Sequence, residues 1–368
     1  MSKPSYLLPR TAYLSPEWFA KEQEQLFGNT WQFIGLEKEM PAIGSYRTLE
    51  LGSYALVLLR DEQGELRLLH NLCRHRGMPL FIGAGKLEKH IRCPYHNWTY
   101  QQDGQLRAVP QKEKFPCLAH DQLGLHQASL DTWHGMVFAH PQSRPEPLEE
   151  WVEGLAETLG AHQLDQLEEQ ETLEYSVKAN WKLFIENYMD GYHLRHLHSR
   201  SLGSHYDHDA IEQGQCGPHW YFYQPLTASG QRTANSSSSL PLISGQASNS
   251  LGAYVHLLFP NLGITATESI WSLLEILPQG PELTLVRIRS WCMPISTLRY
   301  MLLKAPEIKG SQDHPAKSGD LMEEDIYVCE SIQRSMHSPA FKVGPLAEGL
   351  EEPIWHFQRN IMSYLGAS

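Results

Sequence analysis

Cysteine is scarce in this chain, with six residues in 368. That is too few for the disulfide framework of a small secreted scaffold, so cysteine chemistry here has to be local. Long apolar runs are also missing. No window approaches the roughly 20 apolar residues that a membrane-spanning helix needs, and Met1 to Thr11 has no apolar core of the secretory-signal kind. The expectation is a cytoplasmic protein with no membrane partner. Positive charge is in deficit, with 30 Lys and Arg against 42 Asp and Glu for a net charge of −12. That argues against a nucleic-acid partner, since such proteins carry a basic face. A dinucleotide fingerprint is lacking too, because Gly83-Ala84-Gly85 has no strand-to-helix setting around it. No internal repeat is evident.

Histidine, by contrast, is plentiful at 19 residues, and the length suffices for two domains with their own cores. Ser15-Pro16-Glu17 has a capping hydroxyl, a proline at the first helical position and an early acid, and predicts a helix through Trp18, Glu22 and Leu26 that stops at Gly28. From about Thr30 to Pro141 the texture is short β segments joined by tight turns. Tyr54–Arg60 and Glu65–Asn71 flank one turn, and Trp98–Gln102 and Gln105–Val109 flank Asp103-Gly104; both read as hairpins. Pro145 to Leu164 predicts one helix, with Leu148, Trp151, Val152, Leu155 and Leu159 at helical spacing. Thr227–Gly252 is rich in Ser, Gly, Gln and Asn and predicts a long loop, either a lid or a disordered surface segment. Tyr254–Phe259, Gly263–Thr267, Ile270–Leu277 and Leu283–Cys292 predict an antiparallel meander, followed by a helix over Gly319–Met336. The aromatic run Trp220-Tyr221-Phe222-Tyr223 reads as a strand with one face in the core; its alternative is a face for a quaternary cation.

Two constellations carry chemistry. The first is Cys73-Arg74-His75, seventeen residues, then Cys93-Pro94-Tyr95-His96. Each short motif supplies one thiolate and one imidazole. A Rieske centre needs that mixture, since two cysteines hold one iron of a [2Fe–2S] cluster and two histidines hold the other. Structural zinc sites pair Cys with Cys and His with His more often, so the mixed order suits zinc poorly.

The second constellation is Asp190, His193 and His198, with a distant carboxylate. Asp190 and His193 are three apart and are expected on one helix face. His193 and His198 are five apart, so both can bind one metal only if the helix breaks, bulges or ends between them; Gly191 weakens the segment. Two histidines and one carboxylate form the facial triad of non-haem Fe(II) oxygenases. Asp325 is the candidate carboxylate, because it shares a helical stripe with Leu321, Val328, Cys329, Ile332 and Met336, where a bare charge is costly. Glu323 and Glu324 fall off that stripe and are expected to be solvated, with Glu324 the rival ligand.

The segments Cys73–Gly77 and Cys93–Tyr100 resemble the Rieske domains of ring-hydroxylating oxygenases, and Asp190 to His198 is similar to that family's iron-site motif. The resemblance covers nearly the whole chain. It implies an α+β fold, with a small antiparallel β Rieske domain and a larger catalytic domain of helices on a curved antiparallel sheet, of helix-grip type. The implied divisions are 1–29 as an N-terminal helix packing on the catalytic domain, 30–141 as the Rieske domain and 142–368 as the catalytic domain. The implied cofactors are one [2Fe–2S] cluster on Cys73, His75, Cys93 and His96, and one Fe(II) on His193, His198 and Asp325. Asp190 resembles the carboxylate that links the iron site to a cluster histidine of a neighbouring subunit, which implies a homo-oligomer, a trimer. The reaction implied is hydroxylation of a small organic substrate, an aromatic ring, by O₂ with electrons from a separate NAD(P)H-dependent flavin or iron–sulfur reductase, through a ferredoxin in some arrangements. The segment Glu324 to Gln333 and the tail near Trp355-His356-Phe357 also resemble the choline and glycine betaine branch, so oxidative N-demethylation or hydroxylation of a betaine stays open. A Rieske electron carrier without catalysis is the third reading.

Overall fold

The computed structural model describes residues 6–117, 119–155, 159, 166–199, 202, 205–236, 239–243, 251–303 and 314–366. The chain forms two compact units, one of Lys21–Trp151 and the other of the residues up to Ala20 together with Val152–Ser368.

The chain enters through α1 (Thr11–Leu14) and α2 (Pro16–Lys21); the winding loosens to a π turn over Glu22–Leu26 and tightens to a 3₁₀ turn through Phe27–Asn29. The expected helix is therefore present but irregular in its second half.

The Lys21–Trp151 unit is antiparallel throughout. One sheet pairs β1 (Gln32–Leu36) with the later hairpin β9 (Ser129–Trp133) and β10 (Met136–His140). A second orders β2 (Ser45–Leu51), β3 (Tyr54–Arg60), β4 (Leu66–His70) and β5 (Ala84–Lys86) as β4-β3-β2-β5. A third, of β6 (Ile91–Arg92), β7 (Thr99–Tyr100) and β8 (Leu106–Ala108), carries the second cysteine motif. Asp61 shows why the β3–β4 turn forms where the sequence places it. Its Oδ1 accepts from Gln63 N and Glu65 N at 3.0 and 2.9 Å, its Oδ2 accepts from Arg67 Nε, and Gly64 takes the left-handed φ of +85°. Apolar side chains of β3, β6 and β7, including Val57, Leu59, Ile91 and Tyr100, pack with Trp98, Cys73 and Cys93 in one buried cluster.

The helix expected over Pro145–Leu164 is a correction. Among the described residues of that stretch, Leu148–Trp151 (α3) is helical, Val152–Gly154 is a turn with Gly154 at φ +82°, and Leu155 is helical again. The five apolar residues are nonetheless all buried, so the spacing reported burial rather than one continuous helix; residues 156–158 and 160–165 lie outside the described set.

The other unit is built on a seven-stranded antiparallel sheet. Its strands are β11 (Glu168–Val177), β12 (Glu212–Cys216), β13 (His219–Pro225), β14 (Gly252–Leu258), β15 (Leu262–Ala266), β16 (Trp271–Gly280) and β17 (Leu283–Cys292), ordered β11-β17-β16-β15-β14-β13-β12. Helices α4 (Trp181–Met189) and α5 (Leu194–Leu197) lie between β11 and β12 in sequence. The Ser-rich stretch was expected to be loop, yet Ala228–Ala234 is helical (α6), started by Thr227 Oγ1 accepting from Gly230 N at 3.1 Å. Residues 237–238 and 244–250 of that stretch lie outside the described set. After α7 (Thr297–Leu303) come α8 (Leu321–Met336) and α9 (Glu352–Leu365), both packed on α4.

Tyr188 fixes which sheet face α4 covers. Its hydroxyl meets Thr265 Oγ1 at 3.0 Å, and its ring occupies the space a Cβ on Gly263 would need. The register places Gly263 opposite Leu257 and Thr265 opposite Val255, and those residues oppose Trp220 and Phe222. The aromatic run on β13 thus alternates, with buried Trp220 and Phe222 on the α4 side and half-buried Tyr221 and Tyr223 on the other.

Candidate metal centres

Cys73 and Cys93 open two turns of the same construction. In each, the cysteine N–H donates to the carbonyl five residues on, Met78 at 2.9 Å and Trp98 at 2.8 Å. The cysteine carbonyl accepts from the N–H four residues on, Gly77 at 2.8 Å and Asn97 at 3.0 Å. That fourth residue is left-handed in both, with φ +72° at Gly77 and +58° at Asn97. Glycine and asparagine are the residues that adopt it at low cost. The histidine sits two positions after the cysteine in one turn and three in the other, and the two Nδ1 atoms still meet at 3.1 Å.

The site has a buried and an open side. Both cysteines are buried, His75 is half-buried and His96 is exposed. Trp98 stacks on the His75 ring at 4.9 Å and 8° between planes. Tyr100 Oη lies 3.2 Å from Cys73 Sγ and accepts from Arg74 N at 3.0 Å. Burial pushes the Cys73 thiol upward, and the nearby Cys93 adds to that against the hydrogen bond from Tyr100. Two adjacent thiolates out of water need a cation to be stable. Two buried thiolates with two more exposed imidazoles fit a [2Fe–2S] cluster of the Rieske type, which the two cysteines and the two histidines would hold.

The second centre is assembled from two segments far apart in sequence. Helix α4, capped by Asn180 Oδ1 accepting from Lys182 N at 3.1 Å, ends at Met189. Asp190 is extended at φ −76°, ψ 108°, and Gly191 and Tyr192 are bends before the single turn of α5. The break therefore falls ahead of His193, and Asp190 and His193 do not share a helix face. The two histidines bracket α5, which ends at Leu197, just before His198. His196, on that turn, is exposed.

His193 Nε2 and His198 Nε2 are 3.1 Å apart, and Asp325 Oδ1 from α8 lies 3.0 Å from the second and 3.8 Å from the first. Among the described residues these three form a group able to hold a metal ion. Such separations suit neighbouring positions around one ion with bonds of about 2.1 Å. Each histidine is held from behind by a carboxylate. Asp190 Oδ2 is 3.2 Å from His193 Nδ1, and Glu324 Oε2 is 2.9 Å from His198 Nδ1. With His198 Nδ1 carrying the proton toward Glu324, its Nε2 turns a lone pair toward Asp325 Oδ1, while His193 Nδ1 faces Asp190 without a well-aligned hydrogen bond among the described residues. Asp325 Oδ1 is buried and makes no well-aligned hydrogen bond among the described residues. Burial pulls the His198 pKa down, yet Asp325 and then Glu324 outweigh it, so the net direction is upward. Lone pairs and carboxylate charge converging in a buried space fit a divalent iron.

Glu324 is a second correction. It is fully buried rather than solvated, because the start of α8 is covered on this side and Gly319 N donates to Glu324 Oε1 at 3.0 Å. The buried stripe of α8 is Glu324, Asp325, Cys329, Gln333 and Met336, while Ile332 is exposed. Gln333 is buried because its Oε1 accepts from Asn180 N at 2.9 Å. Sequence reasoning missed Glu324 and Tyr100 as supporting residues. Adjacency to Asp325 was the one signal for Glu324, and for Tyr100 its place on the strand that follows the second cysteine turn.

Comparison with known proteins agrees with both centres being present. The description "Ring hydroxylating alpha subunit (catalytic domain)" matches residues 164–367, and "Rieske [2Fe-2S] domain" matches residues 30–120. The chain is 28% identical to the glycine betaine monooxygenase oxygenase subunit of Chromohalobacter salexigens, over 94% of this chain and 82% of that protein. It is 26% identical to the chloroplastic choline monooxygenase of Atriplex hortensis, over 95% of this chain and 76% of that protein. In fold it is similar to the crystal structure of the quaternary ammonium Rieske monooxygenase CntA in complex with an inhibitor, with a TM-score of 0.76, 20% identity, and 97% and 95% of the two chains covered.

Proposed function

The chain belongs to the Rieske oxygenases with a ring-hydroxylating alpha-subunit catalytic domain, and from that premise we propose that it oxidises a quaternary ammonium substrate by N-demethylation or hydroxylation. Members of this family are mono- and dioxygenases that incorporate oxygen from O₂ and draw electrons from a partner, and they carry a [2Fe–2S] cluster and a mononuclear iron. One observation carries the substrate class: relatives similar over nearly the whole chain are named for glycine betaine and choline, both trimethylammonium compounds. Trp220 and Phe222, buried on the sheet face that α4 covers, with Trp220 against the His356 ring at 5.0 Å, are the aromatic residues we assign to such a cation.

In this reading Cys73 and Cys93 hold one cluster iron and His75 and His96 the other, and His193, His198 and Asp325 hold the mononuclear iron. When bound, the metals supply single electrons and O₂ activation. Tyr100 steadies the Cys73 sulfur, and Trp98 holds the plane of His75. Asp190 and Glu324 fix the histidine tautomers that leave both Nε2 atoms free for metal. The Rieske domain is assigned to the Lys21–Trp151 unit and the catalytic domain to Val152–Ser368 with the residues up to Ala20, so both boundaries expected from sequence, at 29/30 and 141/142, shift. His96 is exposed, and we assign to it a contact with Asp190 of a neighbouring subunit in a homotrimer. The electron donor is a separate NAD(P)H-dependent reductase of flavin or iron–sulfur type. Among the described residues no helix is long and apolar enough to cross a membrane.

Hydroxylation of an aromatic ring is the second reading, favoured by the family whose catalytic-domain description matches. The test is a single turnover of anaerobically reduced, iron-loaded protein given O₂ and a panel of betaines. Formaldehyde in stoichiometric yield is the expected result for N-demethylation, and a hydroxylated product the result for hydroxylation. No product from any betaine, with cis-diols or phenols from aromatic acids, would overturn the proposal.

A further inference from the structure

A quaternary ammonium substrate brings a permanent positive charge into the catalytic unit. Asp325, Asp190 and Glu324 each lie within 3.2 Å of a histidine nitrogen, and Trp220 and Phe222 offer rings without charge. A buried carboxylate with no cation of its own would complete such a site.

Glu268, in the turn between β15 and β16, is that group. It is 8% exposed. Its Oε1 lies 3.3 Å from His205 Nε2, and its Oε2 accepts from Tyr206 Oη at 3.4 Å. Both contacts are long, and among the described residues no Lys or Arg forms an ion pair with it. Glu275, buried to the same degree in the same unit, has Arg287 Nη1 at 3.3 Å. Burial and then the Glu268 charge push the Tyr206 phenol well up, so it stays protonated and donates.

The backbone ties this group to the iron site. His198 O accepts from Leu202 N at 2.9 Å, and Leu202 O accepts from His205 N at 3.3 Å, so two successive turns lead from the metal-holding histidine to His205. Tyr206 forms an antiparallel bridge with Leu226 and packs with Leu226, Ala234 and Leu251. Residues opposite one another in such a pair point to the same side of the sheet. Alternation along β13 puts Leu226 on the side of Trp220, Phe222 and Gln224. Tyr206, with Glu268 bonded to its hydroxyl, therefore belongs to the face that α4 covers.

We propose that Glu268 supplies the counter-charge for the quaternary ammonium group, with the Tyr206 ring beside it, and so selects a cation over a neutral molecule of the same shape. The proposal rests on the quaternary ammonium reading above. A trimethylammonium group has no N–H to donate, so charge and ring faces recognise it. With His205 neutral, Glu268 is held by two uncharged donors that fix its position and leave its charge uncancelled. A buried charge of that kind destabilises the empty protein and is kept where binding uses it. The structural alternative is a protonated His205 that forms a closed ion pair with Glu268.

The test is calorimetric binding to the anaerobic, iron-loaded holoenzyme, so that no turnover intervenes. Choline and glycine betaine are each compared with the isostere in which carbon replaces nitrogen, giving a neutral tert-butyl group. The wild type should bind the cation of each pair about 30-fold more tightly or better. In Glu268→Gln that preference should fall to within about 3-fold, and Tyr206→Phe, which removes no charge, should keep it. The empty Glu268→Gln protein should melt no lower than wild type, because an uncompensated buried charge has gone. A preference retained in Glu268→Gln, or absent from the wild type, overturns the proposal and leaves the quaternary ammonium reading standing. A Glu268→Gln protein that melts lower or fails to fold also overturns it, since His205 is then the counter-charge. A wild type that binds none of the four compounds overturns the substrate reading and the proposal with it.

Discussion

The two metal centres are put together in opposite ways. The cluster residues come from two turns twenty positions apart, each closed by its own backbone hydrogen bonds and its own left-handed residue. The iron residues come from the two ends of one helical turn and from a helix more than a hundred positions later. A site made of local turns depends on the residues inside those turns. A site made across the fold depends on whatever holds α5 against α8, including carboxylates that need not touch the metal. The exposed histidine edge of the first suits passing electrons between molecules. The buried ring of donors in the second suits chemistry that water would disturb.

The comparison breaks most completely at Cys93. Cys93→Ala removes a thiolate that no neighbour replaces, and the cluster's visible absorption should vanish while His193, His198 and Asp325 still bind ferrous ion by titration. Loss of iron from both centres would show that they are not independent. Asp325→Ala is the converse. It should abolish product formation and leave the cluster spectrum as it was, since every cluster ligand is local; residual turnover above about 1% would point to Glu324 as an alternative ligand. That threshold reflects the 10²-fold or greater losses usual for removed catalytic groups.

These two experiments probe what the sequence made legible. Cysteine and histidine spacing within a turn is a local property, so all four cluster residues could be read without knowing the fold. Asp325 was legible because a carboxylate on an apolar stripe is anomalous. Glu324 was not, because its burial depends on the chain before α8 folding back so that Gly319 N reaches it. The expected helix end between the histidines is there, at Leu197, and a further break that the spacing did not signal falls at Asp190–Tyr192. Composition pointed to Gly191 as the weak residue, but the Asp190 side chain accepting from Tyr192 N at 2.6 Å closes the bend. Gly154 misled in the same way, since apolar spacing continues through it although its φ of +82° interrupts the helix. In the sheet, alternation and turn residues sufficed for the meander, because a strand's face and a turn's φ are both local.

A gentler substitution sharpens the contrast. Glu324→Gln preserves shape but withdraws the charge behind His198 Nδ1, and should weaken iron binding by about 10- to 100-fold with no change at the cluster. Unchanged affinity by chelator competition would reduce Glu324 to a structural acid. The smallest effect belongs to the twin turns. Asn97→Gly gives the second turn the residue of the first and should shift stability by less than about 1 kcal/mol, whereas Gly77→Val should cost about 1–2 kcal/mol. No atom lies within 4 Å of the Cβ position at Gly77, so that cost is backbone conformation alone. Thermal melts in which the two substitutions cost the same would undo the claim that the turns share one construction.

The account stands on two different metal centres in one chain, and total iron with acid-labile sulfide per chain tests it most directly. About three irons and two sulfides are predicted, from one [2Fe–2S] cluster and one mononuclear site. About two irons and two sulfides, after anaerobic loading with ferrous ion, would contradict the second centre and leave an electron carrier in place of an oxygenase.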